Sequence, residues 1–215
     1  MMLSIKQFTF NPFQENTYVL YSGKDAIIVD PGCYEKHEQD ELVSFLEREK
    51  LTPQMLVNTH GHIDHVLGNA FVKSKYKIPH FIHALDVPLL AAVQSYASNY
   101  GFAAYQTAEA EHLLEAGSRH QLGDTSFTIL FVPGHAPGHT ALYFDQEQKL
   151  ISGDVLFHES IGRTDLPGGN HAVLLRTIRN VLYKLPDTVE VFPGHGPATT
   201  IGHEKAFNPF CPEMI

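Results

Sequence analysis

The chain has 215 residues, 43% of them hydrophobic and 18% charged, which predicts one folded domain over 1–215 and excludes the charge-rich composition of disorder. A formal charge of -9 with no basic run excludes affinity for a phosphate backbone, so no nucleic-acid partner is expected. Nowhere is there an apolar run of about 18 residues, and residues 1–8 lack a basic segment followed by an apolar one, so no membrane partner is expected either. Cys33 and Cys211 form no CxxC pair and are too few for a disulfide framework, which points to a reducing, cytoplasmic location.

In chain order, three short apolar segments, 3–10, 17–21 and 26–29, are separated by the turn-forming pairs Asn11-Pro12 and Ser22-Gly23 and predict an antiparallel meander. Leu42, Val43, Phe45 and Leu46 recur at helical spacing within 38–50, and 55–57 is a short strand leading into a histidine cluster. A helix is expected over 66–75. Residues 86–116 read as an Ala-rich helical insertion carrying Tyr96, Tyr100, Phe102 and Tyr105, either a lid over the site or a core-packing or homo-oligomer stripe. The second half predicts a strand over 126–132, a hairpin pair at 139–144 and 150–151, a helix over 172–185 and a last strand at 189–192. Strand-rich halves that each carry a helix predict two packed sheets covered by helices, four layers in all, with a site where strand ends converge.

Fourteen histidines stand out in the composition, because imidazole is the commonest biological metal ligand. In Thr59-His60-Gly61-His62-Ile63-Asp64-His65, four ligand-competent side chains fall within six residues, too close for a regular helix face to offer all of them to one ion. His60 and His62 point the same way if the segment starts extended, whereas Asp64 and His65 lie past the bend, so two half-sites result. Each needs a further ligand, and His135 and His195 follow equivalent Pro-Gly turns, in which proline stops a strand and glycine permits a sharp turn. Asp154, at a strand end, is the natural bridge, because a carboxylate can offer one oxygen to each of two ions.

The donors are nitrogen and oxygen without thiolate, which suits two divalent ions, zinc first, with iron and manganese compatible. Two such ions roughly 3.5–4 Å apart hold a bridging hydroxide with its pKa near neutrality, a nucleophile for hydrolysis. His60, His62 and Asp64 count as catalytic as well as ligating. His139 is expected to support the ligands rather than bind, and Asp30 either to hydrogen-bond a ligand histidine or to serve an ordinary turn.

These motifs resemble the metallo-β-lactamase superfamily and, within it, the compact glyoxalase II-like hydrolases. The resemblance runs from Asn16-Thr17-Tyr18 and Val29-Asp30-Pro31-Gly32 to Gly202-His203-Glu204-Lys205 and Asn208-Pro209-Phe210. It implies an α/β, four-layer αββα sandwich with metal one on His60, His62 and His135, metal two on Asp64, His65 and His195, and Asp154 between them. It also implies a small-molecule substrate, a thioester such as S-lactoylglutathione, with Arg163 of Ile161-Gly162-Arg163-Thr164-Asp165 contacting a substrate carboxylate. The chain ends soon after His203, where larger glyoxalase II enzymes continue into a helical domain, and Gly196-Pro197 replaces the usual Glu-Tyr, so glutathione recognition is not implied. The same fold offers a mononuclear iron persulfide dioxygenase, which shares Gly-Arg-Thr-Asp, and a lactone or phosphodiester hydrolase as alternatives.

Overall fold

A computed structural model describes residues 3–212. The opening segments form β1 (Ser4–Phe10), β2 (Glu15–Ser22) and β3 (Asp25–Val29), antiparallel in that order. Helix α1 (Lys36–Arg48) carries the chain over to β4 (Thr52–Val57), which runs parallel to β3. A parallel return of this kind needs a crossover of a dozen or more residues, and the amphipathic stretch supplies it. Next come α2 (Ile63–Val66), α3 (Asn69–Tyr76), β5 (His80–His83), α4 (Val87–Tyr96) and β6 (His112–Leu114), completing a six-stranded sheet in the order β1-β2-β3-β4-β5-β6.

The second sheet contains β7 (Arg119–Leu122), β8 (Thr125–Phe131), β9 (Thr140–Phe144) and β10 (Lys149–Gly153). A separate two-stranded hairpin, β11 (Leu156–Phe157) and β12 (Ser160–Ile161), precedes α5 (His171–Asn180). The chain then adds β13 (Glu190–Pro193), β14 (Thr199–Thr200) and α6 (Ile201–Phe207), so the sheet order is β14-β13-β10-β9-β8-β7.

Strand alternation separates the layers, since successive side chains leave opposite faces of a sheet. Ile27 and Val29 of β3 pack with Leu142 and Phe144 of β9 and Ile151 of β10 between the sheets. Ala26 and Ile28 turn the other way, onto Leu42, Phe45 and Leu46 of α1. Ala141 and Leu150 face Leu174 and Ile178 of α5. The four-layer αββα arrangement expected from the sequence is therefore present, with the meander, the hairpin pair and the last strand where they were read.

Three expectations are corrected. The helix expected over 66–75 is two helices, α2 and α3, because Gly68 runs against β3's exit: its N–H donates to the Pro31 carbonyl at 2.7 Å, and a Cβ there would lie 2.6 Å from Cys33 Sγ. The helix expected over 172–185 stops at Asn180 and continues only as a 3₁₀ turn, Leu182–Lys184. Pro186 disfavours helical geometry for the residue before it, and Leu185 is extended at φ -71° and ψ 156°. The insertion at 86–116 is helical only through Tyr100, where Gly101 takes a left-handed φ of 90° and ends it.

Leu142 is fully buried between the sheets. Leu142→Ala is expected to lower unfolding stability by about 2–5 kcal/mol, measured by urea denaturation of the metal-free chain.

Candidate metal centre

The histidine loop leaves β4 under tight control. Asp30, at the end of β3 with φ 48°, accepts the Thr59 N–H at 2.7 Å and the Thr59 hydroxyl at 2.6 Å. The Thr59 carbonyl accepts the Thr140 N–H of β9 at 2.8 Å, so the loop is pinned to both sheets at once. His62 is extended (φ -75°, ψ 152°) and stands at the N-cap of α2, which places Asp64 and His65 inside that helix. On the second sheet, His135 follows β8, Asp154 follows β10 and His195 follows β13. A backbone bridge between Glu15 and His195 and the Asn16 N–H on the Gly194 carbonyl (2.7 Å) close the two sheets around these residues.

The structure brings all seven sequence-predicted ligands together. Donor atoms of His60, His62 and His135 lie within 4.8 Å of one another, and so do those of Asp64, His65 and His195. Asp154 spans the two groups, one oxygen 3.5 Å from His65 Nε2 and the other 3.6 Å from His135 Nε2 and 3.5 Å from His195 Nε2. Gly194 is required by this crowding, since a Cβ there would sit 2.1 Å from Asp154 Oδ1.

Four of the five ligand rings, all but His62, have one nitrogen committed outside the centre. Thr59 Oγ1 lies 3.0 Å from His60 Nδ1, Asp30 Oδ2 3.2 Å from His65 Nδ1, the Arg163 carbonyl 2.8 Å from His135 Nδ1, and the Gln14 carbonyl 3.2 Å from His195 Nδ1. An Nδ1–H held by a fixed acceptor directs the Nε2 lone pair inward, the usual support of a metal-binding imidazole. Inside, His60 Nε2, His65 Nε2 and Asp154 Oδ1 are buried without a hydrogen-bond partner. His62 Nδ1 and His135 Nε2 stand 2.8 Å apart. Buried polar atoms left this way are costly unless a cation satisfies them, so the residues present fit divalent ions.

Electrostatics agree with that fit. Burial first and repulsion from His65 second hold His60 well below the ordinary histidine range, and burial with the neighbouring His135 pushes His62 to about 4. Both rings are thus neutral donors. Burial also disfavours a charge on His65, but Asp64 and Asp154 override it and raise its pKa well above the ordinary value. The two carboxylates thus favour a proton or a metal ion on His65.

His139 supports rather than joins the ligands, as expected: its Nε2 accepts the Asp154 N–H at 3.0 Å, and its ring stacks on His60 at 4.6 Å. Asp30 resolves in favour of holding His65. Two supporting residues were not legible in the sequence. Buried Glu15 lies 3.8 Å from His65 Nδ1, and burial raises its pKa well above the ordinary value. Buried Asp86, at the N-cap of α4, accepts the Gly61 N–H at 2.9 Å and the Gly138 N–H at 2.5 Å, tying the two ligand loops together. Its sequence signal, an aspartate ahead of Val87-Pro88, looks like any helix start.

Over the candidate ligands lies a cleft of about 880 Å³. Tyr96 and Tyr100 line one wall, Phe157 and Ile161 line the hairpin side, and Arg163 is also in the lining. Phe102 and Tyr105 are instead buried against Ile63 and Val93, so the aromatic stripe divides between cleft and core. The exposed Arg163 guanidinium is held by both oxygens of Asp165 at 2.7 Å. No helix among the described residues is long and apolar enough to cross a membrane.

Comparison with known proteins agrees with this architecture. The family model described as Metallo-beta-lactamase superfamily matches residues 10–195, and the chain belongs to that superfamily. It is 36% identical over 206 residues to the probable metallo-hydrolase YqgX of Bacillus subtilis, covering 95% of this chain and 96% of that one. It is 32% identical over 211 residues to the hydroxyacylglutathione hydrolase GloC of Haemophilus influenzae, covering 97% and 98%. Among solved structures, the BLEG-1 B3 metallo-beta-lactamase superposes with a TM-score of 0.87 at 40% identity, covering 98% and 99%. TTHA1623 in a di-iron-bound form gives 0.86 at 35%, covering 95% and 99%. The chain is thus a metallo-hydrolase of this superfamily, which implies divalent metal ions without deciding between zinc and iron.

Burial lifts the Asp86 carboxyl to about 6, against the two N–H groups that lower it. A raised folded-state pKa means the folded chain keeps a proton that the unfolded chain has already released. The stabilisation that Asp86 contributes should therefore fall as pH rises from about 4 to about 6. Urea midpoints of the metal-free chain should show it as a difference: the wild-type midpoint relative to that of Asp86→Asn should drop between the two ends of that window.

Proposed function

We propose that this single-domain chain is a binuclear thioester hydrolase of the S-lactoylglutathione type. The observation that carries the reading is the pair of three-donor groups joined by Asp154 beneath a cleft large enough for a small molecule. His60, His62 and His135 would hold one divalent ion and Asp64, His65 and His195 the other, with Asp154 shared. Ions bound there supply a water activated near neutral pH and Lewis-acid polarisation of the substrate carbonyl.

The chain's own residues do the rest. Asp64, with one oxygen 3.1 Å from His195 Nε2, orients the water and accepts its proton. Water oxygen forms the new bond to the carbonyl carbon, the carbon–sulfur bond breaks, and the thiol leaves as thiolate with little need of a protein acid because its pKa is low. Tyr96 and Tyr100 shield the acyl group from bulk water. Arg163 offers its guanidinium to a substrate carboxylate in exchange for Asp165, an exposed partner that holds it weakly. The 32% identity to a hydroxyacylglutathione hydrolase supports the thioester class, and the nitrogen-rich donor set supports zinc.

Metal analysis of protein purified without added metal should find two ions per chain, and thioester hydrolysis should collapse in His60→Ala. A wild-type rate no greater than that variant's refutes the assignment; a single iron with oxygen uptake on glutathione persulfide replaces it with an oxygenase. Tyr100→Ala should raise KM while leaving the metal content unchanged. An unaltered KM would remove Tyr100 from substrate contact.

A further inference from the structure

A second convergence of donor groups stands apart from the cleft floor, at the tip of the β11–β12 hairpin. His158 and Glu159 form that tip, and His203 reaches it from the first turns of α6. His203 Nε2 lies 3.1 Å and His158 Nε2 3.9 Å from the same oxygen, Glu159 Oε1. The two imidazoles stack with centroids 4.9 Å apart and planes 15° from parallel, so both Nε2 edges are turned toward that oxygen.

The frame behind these side chains is fixed. Glu159 adopts a left-handed φ of 53°, uncommon for a residue with a Cβ, and its N–H donates to Glu204 Oε2 at 3.0 Å. Glu204 is fully buried and also accepts from Asn208 Nδ2 at 2.8 Å, while the same amide group donates to the Ser160 carbonyl at 3.0 Å. On the helix side, the Thr200 hydroxyl caps α6 by accepting the His203 N–H at 3.1 Å, and the Phe207 ring lies 4.9 Å from the His203 ring. The three donors therefore come from two elements that are already locked to each other.

An ion pair alone does not account for the arrangement. A single ion pair would engage only one of the two rings, whereas both Nε2 atoms approach the same carboxylate oxygen and all three donors lie within 4.8 Å of one another. A bound cation uses all three, since imidazoles donate lone pairs and the carboxylate supplies charge. Two nitrogens and one oxygen suit the borderline divalent metals, zinc, nickel and copper, with water completing the shell.

We propose that His158, Glu159 and His203 form a peripheral binding site for a divalent transition cation, separate from the central pair of donor groups. The hairpin that carries His158 and Glu159 also supplies Phe157, Ser160 and Ile161 to the cleft wall. Loading the site adds a further tie between that wall and α6.

The test is equilibrium dialysis of the full chain against zinc, followed by elemental analysis. Wild type should bind one equivalent more than either H158Q or H203Q, both conservative changes of partly exposed side chains. The same equivalent should persist in a His60→Ala, His195→Ala chain, which separates this site from the central one whatever the latter holds. In that double variant, zinc should slow amide exchange across residues 156–161, and adding H203Q should abolish the effect. Equal zinc content in wild type, H158Q and H203Q overturns the proposal, as does loss of the extra equivalent in the His60→Ala, His195→Ala chain.

Discussion

Two carboxylates, Asp64 and Asp154, are confined with a ring of imidazoles at the junction of the two sheets, and the need to balance that charge organises the protein around them. The closest carboxylate-to-imidazole approaches are 3.1–3.6 Å, in a site where most of the groups are buried. Charges this close in a weakly screened interior cannot coexist without a proton or a metal ion among them. Asp30, Thr59 and the carbonyls of Gln14 and Arg163 take the outer nitrogens of four rings, and the inner nitrogens of His60 and His65 are left without a hydrogen-bond partner, open to a cation.

This explains why so much of the surrounding structure consists of polar side chains with no direct chemical role. Asp86 binds backbone N–H groups from two ligand loops, and His139 holds the Asp154 backbone while stacking on His60. Such contacts are costly to bury and pay for themselves only by fixing donor positions to within a fraction of an ångström. Arg163 has a double position: its backbone carbonyl sets the tautomer of His135, and its side chain reaches the cleft lining. A change of side chain there leaves the first task intact.

The cleft belongs to a different physical regime from its floor. Aromatic and aliphatic side chains form its walls, from the α4 segment on one side and the β11–β12 hairpin on the other. Apolar walls over a charged floor exclude water and strengthen each electrostatic interaction beneath them. The hairpin is joined to α6 through Glu204 and Asn208, so the wall is supported from the far side of the second sheet.

The primary structure by itself determined donor chemistry and layer order. His60-x-His62-x-Asp64-His65 and the Pro-Gly turns before His135 and His195 carry their meaning locally, because ligand type and turn geometry are short-range properties. Short continuous apolar runs in 26–29, 141–144 and 150–151 likewise announce strands that are buried on both faces. Tertiary structure decided the rest. The break at Gly68 depends on Pro31 and Cys33, and the left-handed Asp30 acts across a gap of about thirty residues, on Thr59 and His65. Glu15, Asp86 and the His158–Glu159–His203 cluster have no local pattern at all, since their partners are brought in by sheet packing and helix docking. Propensity and periodicity act over a few residues, whereas a buried carboxylate is defined by whatever N–H or imidazole the fold places opposite it.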